Sequence, residues 1–137
     1  MAKRREETAP STILRFTGDH LWVRAEADRA QIGISDPGQE ELGEIIAVEL
    51  PDVGDSLEKG ESFGELESVR TVLELIAPIN GTVRAVNGEL DDNPSLTNED
   101  PYHEGWLIEV ELTDEGELDD LMATEEYEEL VAHEDDS

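Results

Sequence analysis

The chain has no cysteine, which excludes a disulfide framework, a thiolate metal site and a cysteine nucleophile. Lysine is almost as scarce. Two stand in 137 residues, Lys3 and Lys59, against seven arginines, so chemistry that needs a side-chain amine has two places to occur. Positive charge as a whole is sparse, with 9 Lys plus Arg against 37 Asp plus Glu, a net charge of 9 − 37 = −28. Binding that neutralises phosphate needs clustered Lys and Arg, so no nucleic-acid partner is expected, and attraction to an anionic membrane surface is equally disfavoured. Long apolar runs are missing too. No stretch approaches the ~20 residues of a membrane span, and residues 1–11 are charged and then polar where a signal peptide is apolar. A soluble, cytoplasmic protein is expected.

What is present must still be separated from disorder, because 36% hydrophobic residues beside 34% charged ones suits either an acidic disordered chain or a folded domain with surplus surface carboxylate. Periodicity favours the folded domain. From residue 12 to residue 83, short apolar runs alternate with Gly, Pro and Asp at intervals near ten residues, a β pattern. Strands are expected over 13–17, 21–26, 30–34, 45–50, 62–69, 72–77, 81–87 and 106–112. In the last, Trp106, Ile108, Val110 and Leu112 alternate with Leu107, Glu109 and Glu111, so one face should be buried. Asp36-Pro37-Gly38-Gln39 reads as a helix start with Asp36 as cap and Gln39 completing a capping box, ending near Gly43. A second helical region is capped by Asp114, and a further segment covers 124–131. The organisation expected is a loose basic tail over 1–11, one domain over 12–132, and an acidic frayed end over 133–137.

Few residues suggest catalysis or metal binding. His20, His103 and His133 have no partners at ligand or nucleophile spacing, so His20 is expected to bond locally and His103 to sit in the loop ending at Gly105. Asp91-Asp92-Asn93 with Asn98-Glu99-Asp100 lacks the spacing and central glycine of a calcium loop, and Asn80-Gly81-Thr82 reads as a turn. No catalytic residue and no metal are expected. Attention falls on Glu67-Ser68-Val69-Arg70-Thr71-Val72-Leu73-Glu74, two strands meeting at a tight, exposed turn around Arg70, flanked by related elements at 53–61 and 77–83.

Over about four fifths of the chain these residues resemble the H proteins of the glycine cleavage system. The resemblance rests on Gly33-Ile34-Ser35-Asp36, Gln39-Glu40-Glu41-Leu42-Gly43, Val48-Glu49-Leu50-Pro51, Lys59-Gly60-Glu61, Glu67-Ser68-Val69, Ala77-Pro78, Asp92-Asn93-Pro94, Asn98-Glu99-Asp100-Pro101-Tyr102 and Glu104-Gly105-Trp106-Leu107. It implies a mainly β, lipoyl/biotinyl-type barrel-sandwich hybrid with a short internal helix and a helical C-terminal extension. It further implies a monomeric carrier that is not itself an enzyme. In the family a lysine at the hairpin tip holds covalent lipoate, which receives the aminomethyl group of glycine from a pyridoxal-phosphate glycine decarboxylase. An aminomethyltransferase unloads it, and dihydrolipoyl dehydrogenase reoxidises the dithiol.

This chain departs from the pattern where the lysine should stand. Arg70 follows Glu67-Ser68-Val69, and Ala77-Pro78 follows at the family's spacing, so the register is secure. A guanidinium stays protonated and offers no nucleophilic lone pair, and no lipoate is expected on Arg70. Lys59 lies in a Lys-Gly-Glu turn and Lys3 outside the match. By resemblance, the positions that hold the loaded arm in a surface cleft are Leu21, Leu73 and Glu74, where the family has Glu, Ser and Asp, while Glu67, Ser68 and Val69 form the partner-facing hairpin. Drift of lysine to arginine, or deliberate replacement, accounts for Arg70 but not for Leu21 and Leu73. Two functions stay open: an aminomethyl carrier, or a cofactor-free module that binds partner enzymes as scaffold, competitor or regulator.

Overall fold

The computed structural model describes residues 12–136 of the chain, with side chains over 13–132; the expected basic tail and Ser137 lie outside the described residues. Among the described residues nine strands form two antiparallel sheets. The larger runs β1-β2-β3-β9-β8-β5, from β1 (Thr12–Phe16), β2 (Leu21–Glu26), β3 (Arg29–Ile34), β5 (Ser56–Leu57), β8 (Gly81–Val86) and β9 (Ile108–Leu112). The smaller runs β4-β6-β7, from β4 (Ile45–Glu49), β6 (Ser62–Ser68) and β7 (Val72–Ile76). The helices are α1 (Asp36–Leu42), α2 (Glu89–Asp92), α3 (Leu96–Glu99), a 3-10 helix (Glu115–Asp120) and α4 (Thr124–Asp136). The mainly β fold read from the sequence is the fold observed.

The alternation of side chains explains the core. Leu21, Val23, Ile32, Ile34, Val83, Ile108 and Val110 from the larger sheet meet Leu66 and Leu75 from the smaller one in a single buried cluster. Each such side chain contributes about 1.5–3 kcal/mol by leaving water. A second cluster, built on Phe16, Trp22 and Tyr127, lies under α4. Phe16 and Tyr127 stack with ring centroids 4.5 Å apart, and Phe16 and Met122 exchange backbone hydrogen bonds. None of the described helices is long and apolar enough to cross a membrane.

Several expectations need correction. The cap of α1 is Ser35, not Asp36: Ser35 has extended backbone, and its Oγ accepts from the Gly38 amide at 3.1 Å. Asp36 already belongs to the first turn, where its carboxylate accepts from Gln39 Nε2. The strand expected to begin at Trp106 begins at Ile108. Leu107 is buried and Trp106 packs on the second cluster, so the period of two breaks there. Helix α4 continues to Asp136, past the expected end at 131 and through residues expected to fray. Asp114 does cap the next helical segment, accepting from Gly116 N at 2.9 Å, but that segment is 3-10. Helices α2 and α3 and the two-residue β5 were not anticipated. The related elements at 53–61 and 77–83 pair with each other, through β5 with β8 and through Gly60 N to Ala77 O and Ala77 N to Glu61 O.

Candidate functional site

The hairpin of β6 and β7 projects Val69, Arg70 and Thr71 at its tip. Ser68 makes the turn possible. Its Oγ, 5% exposed as a residue, accepts from the amides of Arg70 at 3.1 Å and Thr71 at 3.2 Å, and it donates to the Thr71 carbonyl. The Ser68 amide bonds the same carbonyl at 2.8 Å. One buried hydroxyl thus organises three turn groups, as short polar side chains do in turns.

The tip rests against the C-terminal end of α1. Val69 N donates to Glu44 O at 2.9 Å, and Arg70 Nη1 donates to the carbonyls of Glu41 at 2.7 Å and Glu40 at 3.2 Å. Gly43 ends the helix at a φ of 78°, a backbone that favours glycine. A Cβ there would lie 3.3 Å from both Arg70 Nε and Val69 Cγ2. From the other side Asn98 of α3 fastens the same corner: its Nδ2 donates to Gly43 O and Gln39 Oε1, and its Oδ1 accepts from Ile45 N, all at 2.9 Å. Asn98→Ala leaves the Ile45 amide unpaired, and a loss of about 1–3 kcal/mol in a denaturant melt is expected.

The residues tied to a surface cleft by resemblance are not brought together in one. Leu21 is 1% exposed, in the core. Leu73 stands opposite Leu66 and packs on the same cluster. Glu74 is exposed opposite Glu65, since neighbours in a strand face opposite ways. Of the hairpin residues expected to face partners, Glu67 and Val69 are exposed and Ser68 is the turn anchor. Val69 is 59% and Val72 55% exposed, so the tip offers apolar surface among carboxylates.

A polar network that sequence reading missed joins α1 to α4. Tyr127 Oη shares hydrogen bonds with His20 Nδ1 at 2.6 Å and Ser35 Oγ at 2.5 Å, and His20 Nε2 lies 3.6 Å from Glu41 Oε1. His20 bonds locally through its amide to Thr17 O, while its ring reaches a residue 107 positions away. Tyr102 Oη accepts from Asp36 N at 2.9 Å, and burial raises its phenol above the usual range. His103 bonds Asp100 in the loop before Gly105, as expected. Among the described residues no three His, Asp or Glu side chains are placed to hold a metal.

Two antiparallel sheets closed around one core present a tight hairpin tip at one end of the smaller sheet. Comparison with known proteins gives the family. The sequence profile described as glycine cleavage H-protein matches residues 14–134. A glycine cleavage system H protein of Halalkalibacterium halodurans is 50% identical over 121 residues, covering 88% of this chain and 94% of that protein. One of Bacillus subtilis is 52% identical over 118 residues, covering 86% and 93%. The crystal structure of a glycine cleavage system H protein from Mycobacterium marinum superposes with a TM-score of 0.77 at 36% identity, covering 87% of this chain and 95% of that one. The chain belongs to the glycine cleavage H-protein family, whose members are carriers of a multienzyme system and not catalysts.

Proposed function

We propose that this chain serves the glycine cleavage system without a lipoyl arm of its own, as a module that docks on the system's enzymes and acts there as scaffold, competitor or regulator. By resemblance those enzymes are the glycine decarboxylase, the aminomethyltransferase and dihydrolipoyl dehydrogenase.

The observation that carries the reading is Arg70. It occupies the hairpin tip directly after Glu67-Ser68-Val69, and its guanidinium donates to two carbonyls of α1. The residues present do not fit covalent lipoate. An amide to lipoate needs a neutral amine, and guanidinium does not deprotonate in proteins. Lys59, the single lysine among the described residues, sits in the turn before β6 with its Nζ 3.2 Å from Asp120 and its backbone amide on Asn80 Oδ1. Leu21, buried in the core, and Leu73, partly buried against it, offer no hydrogen bond to an arm carrying an amine.

Intact mass after co-expression with an active lipoylation system tests the proposal. The natural chain is expected to gain no lipoyl group, and Arg70→Lys to gain one. A lipoyl group on the natural chain, mapped to Lys59 or Lys3, would overturn the reading.

A further inference from the structure

The last carbonyls of a helix have no partner within it and carry partial negative charge. In α1 that end is unfavourable by composition. Glu40 and Glu41 occupy its last turn, and no basic residue does. Gly43 N takes the Gln39 carbonyl and Asn98 takes that of Gly43, which leaves Glu40, Glu41 and Leu42 without a partner inside the helix, the first two of them within reach of the hairpin tip. Arg70 satisfies both.

Three features of the contact are independent of one another. The guanidinium donates to two carbonyls, and a charged donor makes the stronger kind of hydrogen bond. Gly43 leaves room for the side chain, since a Cβ would crowd Arg70 Nε at 3.3 Å. The Val69 amide bonds Glu44 O next to the same corner, so the backbone of the tip is fastened beside the side chain. Both bonds leave the one nitrogen Nη1, and a lysine would have to bring its ammonium to that point on a shorter and more flexible stem.

We infer that Arg70 is the C-terminal cap of α1, supplied by the hairpin instead of the helix, and that it pins the β6–β7 tip closed against the helix. The pin is a property of the arginine, whatever partner the chain serves. It fixes Val69 and Val72 as a rigid apolar contact where an extended side chain would leave a mobile one.

Native-state hydrogen exchange on the full chain, with Arg70→Gln, Arg70→Lys and Arg84→Gln compared with the natural protein, tests this. The amides of Gly43 and Val69 are expected to exchange about tenfold faster in both Arg70 variants, while amides of the β3–β9 ladder keep their rates. Arg84→Gln, which also removes one positive charge, should leave Gly43 and Val69 unchanged. In Arg70→Ala, methylguanidinium far below denaturing concentration should restore slow exchange by filling the vacated seat. Unchanged Gly43 and Val69 rates in Arg70→Gln, or equal acceleration by Arg84→Gln, would overturn the pin. A nitrogen NMR spectrum of the natural chain gives a check that needs no variant: restricted rotation of the Arg70 guanidinium supports the pin, and free rotation refutes it.

Discussion

Truncating Trp22 to alanine is expected to cost about 3–5 kcal/mol, the range for removing a fully buried indole. Trp22 is 0% exposed and holds three parts of the fold at once. Its Nε1 donates to Pro101 O at 2.9 Å, Arg24 stacks over its ring at 4.6 Å, and its six-membered ring lies where a Cβ on Gly33 would stand, 2.5 Å from Cζ2. Alanine would open a cavity under α4 and release the 101–106 loop, which carries Tyr102 and its bond to the Asp36 amide. Against a domain stability of about 5–15 kcal/mol, the melting midpoint should fall by roughly 10–20 °C. Trp22→Phe should recover more than half of the loss. A fall below about 1 kcal/mol for Trp22→Ala would mean that the indole does not organise this face.

The second large effect concerns salt. Thirty-seven carboxylates face nine Lys plus Arg, and the small sheet shows the consequence in its register. Glu49 stands opposite Glu65 and Glu65 opposite Glu74, three exposed like charges in one row, an arrangement that destabilises a sheet. Raising ionic strength from 0.1 M to 1 M shortens the screening length from about 10 Å to about 3 Å, which relieves such repulsion. It also weakens the surface pairs Arg29–Glu109, Lys59–Asp120 and Arg84–Glu111. Exposed pairs of this kind are weak and screened by salt, although Arg84 does hold the Glu111 carboxyl below the usual carboxylate range by hydrogen bond and charge. Repulsion wins, so the melting midpoint should rise steadily in sodium chloride, a salt whose exclusion from protein surface is weaker than that of sulfate. A flat or falling midpoint would refute this.

Much of the fold was legible because a half-buried strand writes its period into the chain. The strand at 21–26 was read to the residue, and those at 81–86 and 72–76 to within one. The errors arose where tertiary contact overrides the period. Leu107 donates its amide to Ile32 O and is buried out of phase, and the two residues of β5 are too few to show a pattern. Helices α2 and α3, of four residues each, are likewise too short for a periodic signal. At α1 the residue order points to Asp36 as the cap, and the extended backbone of Ser35 places it one residue earlier.

The site divides the same way. By sequence alone, the hairpin and the place of Arg70 at its tip were legible, because residue order needs no coordinates. So was the scarcity of amines, two lysines in the whole chain. The tertiary structure decided where those side chains go. Leu21 enters the core and Leu73 packs against its edge because their strands turn those faces inward. His20 meets Tyr127 across 107 residues, a distance along the chain that no local pattern encodes. Arg70 finds the carbonyls of Glu40 and Glu41 because folding sets the open end of α1 beneath the hairpin, where a charged donor is the group that satisfies it.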